Sequence, residues 1–276
     1  MLTKIEVNDG QGHTLSLPFA DVSAGYTIKN IDGLDPVKAT IVSTAFAQLD
    51  GSQLQSARRE NRNIVLTLGL DPYLQGASVK SLRAALYAYF MPKSFVTFKF
   101  FDENVAYATI AGQVESFETP LFARDPEVVI SVLCPDPSFL AVTPLTVNSN
   151  TVAAGGVETP ITNPGSIESG YLLSFTANRV LTGVTIQNRR PDNSVVTLDL
   201  SAGIAVGDGV AISTMPLDKY VTVMHLGTEK SVLYGLTAAS KFGPLWPGVN
   251  NFRVTHSAAG AIVPFKLIYT PKYGGL

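Results

Sequence analysis

The sequence predicts a mainly β protein in two parts: an N-terminal α+β domain with a β-sandwich, one helix and a protruding hairpin, then a β-sandwich or jelly roll. Three observations lead there. Short runs of alternating apolar and polar residues recur along most of the chain, only one stretch has a helical period, and Cys134-Pro135-Asp136-Pro137-Ser138-Phe139 interrupts the pattern midway. Pro135 and Pro137 fix φ and withhold backbone donors, so a strand ending at Leu133 cannot continue through them. The expected domains are therefore 1–138 and 139–276.

In the first half, Ile64, Leu66, Leu68 and Leu70 alternate with Val65, Thr67 and Gly69, the pattern of a half-buried strand. Ser78 then precedes Val79, Leu82, Leu86, Tyr89 and Phe90, which share one helix face. Ser78 suits the N-cap and Pro92 stops the helix, while Lys80, Arg83 and Tyr87 fall on the other side. Val96, Phe98 and Phe100 form the next alternation. Asp102-Glu103-Asn104 turns the chain into a strand near Val105–Ile110, and Val128, Ile130 and Val132 lead into the proline seam.

The stretch Lys38–Glu60 reads differently. Asp50-Gly51 is a two-residue hairpin signal, because both residues tolerate the positive φ of a type I′ turn. Closure there sets Ala47 opposite Leu54, Phe46 opposite Gln55 and Ala45 opposite Ser56. Neither face is then apolar on both strands, and an isolated two-stranded ribbon is marginal in water. The ribbon must lie on something, either a neighbouring subunit or its own domain. Phe46, Leu49, Leu54, Arg58, Arg59 and Arg62 are the candidate subunit contacts. The cluster Arg58-Arg59-Glu60-Asn61-Arg62 lacks the interleaved aromatics of a nucleic-acid patch and suits carboxylate partners or a solvated strand edge.

Strands in the second half recur about every ten residues, as in a sandwich: Tyr171–Thr176, Val180–Asn188, Val195–Leu200, Val210–Thr214, Tyr220–Leu226, Ser231–Leu236, Asn251–His256 and Ile262–Tyr269. Arg190-Pro191-Asp192-Asn193, Gly207-Asp208-Gly209, Gly227-Thr228-Glu229-Lys230 and Ala259-Gly260 separate them. The sole tryptophan, Trp246, stands in Pro244-Leu245-Trp246-Pro247-Gly248-Val249-Asn250. It suits a plug at the end of the sandwich, with a glycan contact as the alternative.

The 276 residues are 46% apolar and 15% charged, which describes an ordered chain with room for two cores. A net charge of −2 gives no field to attract nucleic acid. A single cysteine, Cys134, excludes an internal disulfide and reads as an ordinary strand-end residue. His13, His225 and His256 show no metal-ligand spacing, no G-x-S-x-G elbow occurs, and Gly207-Asp208-Gly209 has Ile212 where a dinucleotide fingerprint needs glycine. No cofactor and no catalytic residue is expected. The acidic pairs Glu115/Glu118 and Asp102/Glu103 read as solvated charges. No apolar leader opens the chain and no segment is long enough to span a membrane, so synthesis in a cytoplasm is expected.

Taken in order, several pieces resemble the distal tail (Dit) protein family of long-tailed, non-contractile phages. They are Ile31-Asp32-Gly33-Leu34-Asp35-Pro36, the Asp50-Gly51 hairpin, Arg58 through Leu66, the single helix and the proline seam. In the second half they are Gly207 through Ile212, Trp246 through Asn250, and Tyr269-Thr270-Pro271-Lys272-Tyr273-Gly274-Gly275. The resemblance implies a structural protein of the virion at the tail tip, not an enzyme. It implies a homohexameric ring in which the first domain's hairpin lies on the adjacent subunit and a galectin-like sandwich, formed by the second half, projects outward. It further implies contacts with the tail tube protein, the tail-associated hub protein and receptor-binding or baseplate proteins, with DNA passing unread through the lumen. The lack of an inserted carbohydrate-binding module puts direct receptor binding in doubt.

Overall fold

The computed structural model describes residues 1–21, 25–47, 50–120, 125–151, 158–189, 194–258 and 262–276. The chain divides into two compact units, Met1–Val142 with Tyr273–Leu276, and Thr143–Lys272. The division thus falls beyond the expected boundary after Ser138, and the last four residues belong with the first unit. Packing explains the shift. Phe139 is fully buried in the first core, edge-on to Phe100 with ring centroids 5.6 Å apart. The proline seam is the closing turn of the first unit, not the joint between units.

The first unit contains β1 (Leu2–Asn8), β2 (Thr14–Pro18), β3 (Tyr26–Asp32), β4 (Ala39–Ala45), β5 (Ser52–Arg59) and β6 (Arg62–Leu70). One helical turn, α1 (Pro72–Gln75), and the helix α2 (Val79–Phe90) follow, then β7 (Phe95–Asp102), β8 (Val105–Glu118), β9 (Glu127–Cys134) and β10 (Phe139–Ala141). The main sheet is antiparallel with order β2-β1-β7-β8-β9-β6-β3, and β10 adds to β8. It curls until its edge strands β2 and β3 meet, enclosing the core.

The alternation in β6 is realised: Ile64, Leu66, Leu68 and Leu70 are buried, and Leu66 pairs with Ile130 and Leu68 with Val128 on the same face. Val96, Phe98 and Phe100 line the same core. Burial of each such side chain contributes about 1.5–3 kcal/mol. Glu103 and Asn104 both take positive φ, 45° and 71°, in the two-residue turn joining β7 to β8. Strand β8 runs on to Glu118, well past the expected Ile110, through a register shift between Val114 and Ser116. The strands β1 to β3 go beyond the sequence reading, although Ile5 and Val7 alternate with Lys4 and Glu6.

Helix α2 forms as read. Ser78 is the N-cap, its hydroxyl accepts from the Ser81 N–H at 3.1 Å, and the Ser81 hydroxyl accepts from the Ser78 N–H in return. Such a cap stabilises a helix by roughly 1 kcal/mol. Leu82, Leu86 and Phe90 bury the inner face, and the Tyr26 hydroxyl on β3 donates to the Leu82 carbonyl at 2.9 Å.

Cys134 is completely buried, and desolvation pushes its thiol up to about 11. Only the thiolate reacts. At pH 8 a disulfide reagent should therefore label the native protein on the order of a hundred-fold more slowly than the urea-unfolded chain. Equal rates in the two states would contradict this burial.

The second unit contains β11 (Leu145–Thr151), β12 (Thr159–Asn163), β13 (Tyr171–Thr176), β14 (Leu181–Asn188), β15 (Ser194–Ile204), β16 (Gly209–Met215), β17 (Asp218–His225), β18 (Thr228–Ser231), β19 (Gly248–His256) and β20 (Val263–Tyr269). They form a six-stranded sheet, β11-β20-β13-β16-β17-β18, and a four-stranded sheet, β12-β19-β14-β15. Leu173, Ile212, Val221, Ile186, Val254 and Leu267 meet in a shared core, so this half is a sandwich. Two readings need correction. The expected strand Ser231–Leu236 does not run past Ser231 but gives way to a 3₁₀ turn at Leu233–Gly235, and Thr228-Glu229-Lys230, read as part of a breaker, lies with Ser231 in the edge strand β18. Strands β11 and β12, the first of them polar and edge-lying, escaped the sequence reading. The expected breakers at 190–193 and 259–260 lie outside the described residues.

A buried amide holds the loop before β19. Asn250 has no exposed surface; its side-chain oxygen accepts from the Trp246 N–H at 2.9 Å and from the Asn188 amide at 3.1 Å. Its own amide donates to the carbonyls of Trp246 at 2.7 Å and Gly248 at 3.1 Å. Asn250→Ala leaves these groups buried and unpaired and should cost about 2–4 kcal/mol in urea unfolding. Because Trp246 is the only tryptophan, its fluorescence should report the loosened loop directly. A cost under about 0.5 kcal/mol would show that water replaces the amide.

Candidate assembly interface

Strands β4 and β5 form a two-stranded sheet of their own, joined to neither strand of the main sheet. Almost every residue of the ribbon is exposed, including Ile41 at 65%, Leu54 at 62%, Val42 at 50% and Phe46 at 49%. Four large apolar side chains in water are a local cost that the ribbon's own pairing does not offset.

The register differs from the one read in the sequence. Ala45 pairs with Ser52, Thr44 with Gln53 and Ser43 with Leu54, whereas Val42 pairs with Ser56, Ile41 with Ala57 and Thr40 with Arg58. The last ladder pair before the connection is thus Ala45 with Ser52, not the pairing that closure at Asp50-Gly51 would give, and Gln55 is the extra residue of a bulge. An inserted residue moves every later side chain to the opposite face. Here it sorts the ribbon: Ala39, Ile41, Ser43, Ala45, Ser52, Leu54, Ala57 and Arg59 share one face, and Thr40, Val42, Thr44, Gln53, Ser56 and Arg58 the other. Neither face is purely apolar: Ser43 and Ser52 interrupt the first and Arg59 stands at its base, while Val42 is the one apolar side chain of the second. The first is nevertheless the more apolar face, with Ile41, Leu54 and three alanines, and is the one better suited to burial against a partner.

The six candidate contact residues fare differently. Phe46 lies just beyond β4, Leu54 on the apolar face and Arg58 on the polar one, all exposed. Arg59 pairs with Ala39 at the base of the ribbon, its guanidinium 3.4 Å from the Ser138 hydroxyl. Leu49 lies outside the described residues. Arg62 is not a surface contact: it is 1% exposed. Its parity explains this, because Arg62 precedes Ile64, Leu66 and Leu68 on the inward face of β6.

The Arg62 guanidinium instead ties together three distant segments. Nε donates to the Pro137 carbonyl at 2.8 Å, Nη1 to the carbonyls of Gly33 and of Asp35, the latter at 2.6 Å, and Nη2 to the Gly274 carbonyl. Its plane lies 4.3 Å from the centroid of the Phe139 ring. Gly33 makes the approach possible, with φ +90° and a backbone that would put a Cβ 2.0 Å from the Asn63 carbonyl oxygen. Leu34 accepts from the Leu276 N–H at 3.1 Å. The segments 33–35, 62, 137–139 and 273–276 thus form one node from which the ribbon departs.

Trp246 is half-buried, and its indole Nε1 is shielded from solvent without a partner among the described residues. Leu245, not Trp246, enters the sandwich core, so the plug reading moves one residue. His13 pairs with Asp9 at 2.7 Å and His225 with Asp208 at 2.6 Å. His256 is buried and accepts from the Ala258 N–H. The His225 bond holds the Asp208 carboxyl below the usual carboxylate range. Among the described residues no group of three His, Cys, Asp or Glu side chains could hold a metal ion, and no helix is long and apolar enough to cross a membrane.

The chain is similar in structure to the Dit protein of phage SPP1, described as a paradigm of the hub adsorption apparatus in phages infecting Gram-positive bacteria. The match covers 99% of each chain with a TM-score of 0.66 at 15% sequence identity, so the whole fold is shared. The baseplate of phage P2 in its activated conformation also matches, with calcium or with strontium, over the full length of both chains at 8% identity and a TM-score of 0.45. No protein-family description and no curated protein matches the sequence.

Proposed function

We propose that this protein is the structural hub at the distal end of a long phage tail. In this reading six copies close into a ring, each laying its β4–β5 ribbon on the next subunit, and the sandwich of the second unit faces outward. The ring joins the tail tube protein to the tail-associated hub and to baseplate or receptor-binding proteins, and leaves a channel through which DNA passes without being read. The protein would act in the virion, at the tail tip, as a scaffold and not as a catalyst.

The observation that carries this reading is the full-length structural match to the Dit protein of a phage hub adsorption apparatus. The apolar ribbon face adds physical support. A head-to-tail contact that repeats by rotation closes into a ring, and such a contact needs one protruding element that finds its seat on an identical neighbour. Burying Ile41 and Leu54 there would contribute about 1–2 kcal/mol each. Electron micrographs of the purified full-length protein are expected to show six-fold rings with an open centre. A uniform population of single chains at high concentration would sink the reading.

A further inference from the structure

Four connections leave the same end of the sandwich: 177–180 between β13 and β14, 205–208 between β15 and β16, 226–227 between β17 and β18, and Ser257, Ala258 and Ile262 between β19 and β20. The pairings of Phe175 with Phe265, Thr176 with Gly209, Gly209 with Met224 and Leu181 with Ile204 bring them together. The chain enters and leaves this unit at the other end, where Leu145 pairs with Tyr269. Each connection holds one large aliphatic side chain out in water: Val180, Val206, Leu226 and Ile262. Leu226 takes φ 47° in the two-residue turn closed by His225 and Thr228, a site that asparagine or glycine fills without strain and leucine does not. With that side chain 92% exposed, no packing offsets the strain, so hydrocarbon at this tip does nothing for the fold.

The polar groups beneath the tips are paired with one another. The Ala177 N–H donates to the Asp208 carbonyl at 2.8 Å, and the Gly207 N–H to the Ala177 carbonyl at 2.7 Å. The Asp208 carboxylate accepts from the Ala205 N–H at 2.9 Å and bonds His225 at 2.6 Å, and the Asn178 amide donates to the Ile262 carbonyl at 2.9 Å. One network thus ties the four connections together. Asp208 is buried, so among the described residues of these connections Arg179 is the one charged side chain offered to solvent. The sequence at 152–157 and 259–261 holds no ionisable residue. At the other end of the sandwich the exposed Leu217 stands beside the exposed Asp218 and Lys219, so apolar tips alone do not separate the two ends; the lack of an exposed carboxylate does. Separate hydrocarbon tips over satisfied polar groups, with one cation, suit a lipid leaflet, which is fluid, punishes unpaired polar groups and presents phosphate. A protein seat would need a socket for each tip, and a second copy would bring its own Arg179 to a surface with no carboxylate to receive it.

We propose that this end of the sandwich docks on an anionic lipid bilayer, with Val180, Val206, Leu226 and Ile262 entering the headgroup boundary and Arg179 meeting lipid phosphate. The inference does not rest on ring formation. The four tips carry roughly the hydrocarbon of one myristoyl chain, so a single copy should bind reversibly, with an association constant on the order of 10⁴ M⁻¹ or less. Several copies held together would bind more firmly.

The test is sedimentation of the full-length protein with vesicles of mixed phosphatidylglycerol and phosphatidylcholine, and with vesicles of phosphatidylcholine alone. Saturable binding is expected, stronger on the anionic vesicles. Leu226→Asn suits the left-handed backbone and should fold at least as well as the native chain. Combined with Val206→Ser it should weaken vesicle binding about ten-fold or more. Leu217→Asn, which changes an equally exposed left-handed leucine at the other end, should bind as the native protein does. Arg179→Gln should lower binding to the anionic vesicles and leave the neutral ones unaffected. Binding to neither vesicle, undiminished binding by the folded tip variant, or an equal loss with Leu217→Asn would each overturn the proposal. So would self-association that the tip variant abolishes while no vesicle is bound, since the tips would then serve a second copy. Rings that ignore vesicles would remove this inference alone, and vesicle-binding single chains would remove the hub reading alone.

Discussion

Arg62→Ala should unfold the first unit about 3–5 kcal/mol more easily than the native protein. The estimate follows from what the guanidinium holds. Four backbone carbonyls, of Gly33, Asp35, Pro137 and Gly274, accept its N–H groups in a buried node. Removing the donor leaves acceptors that water reaches poorly, each costing about 1–3 kcal/mol before relaxation, and forfeits the cation–π contact with Phe139. Arg62→Lys should recover little, since one ammonium cannot span four carbonyls set around a planar fork. Calorimetry should show the first unit melting roughly 8–15 °C lower while the transition of the second unit stays in place. A loss below about 1 kcal/mol would mean that water or backbone movement takes over the acceptors.

On the proposed hub reading, the double change Ile41→Asp with Leu54→Asp should convert a ring to single chains without unfolding either unit. Both side chains lie on the apolar face of the ribbon and are largely exposed in the isolated chain, so their loss removes little from the monomer. Two carboxylates buried against a neighbour would each cost several kcal/mol, more than an interface of this size can absorb six times over. Light scattering gives the mass and circular dichroism the fold. The matched change Thr40→Asp with Thr44→Asp, on the opposite face, should assemble more nearly as the native protein does. If the apolar-face variant keeps its assembled mass, the ribbon is not the arm that joins subunits.

Much of the first unit could be read from residue order because each element declares itself locally. The four leucine-family positions of β6, the Ser78 cap and Pro92 after α2 specify their structures within a dozen residues. The ribbon was legible as a ribbon, yet its register was not. Nothing in Gln53-Leu54-Gln55-Ser56 marks Gln55 as a bulge, and that one residue decides which face is apolar. Arg62 was misjudged by charge density: four charges in five residues look like a surface, but the spacing to Ile64 and Leu66 places it inward. That signal was available and outweighs composition.

The course of the chain has one more consequence. Because Tyr273–Leu276 closes back onto the unit that begins at Met1, the sandwich is not a bead hung on a string but an insertion with two attachment points. It is a cassette: Thr143–Lys272 could be exchanged for another domain with nearby ends while the Arg62 node stays whole. A truncation that discards the final residues along with the sandwich would instead strip Gly274 from that node and damage the half it meant to isolate.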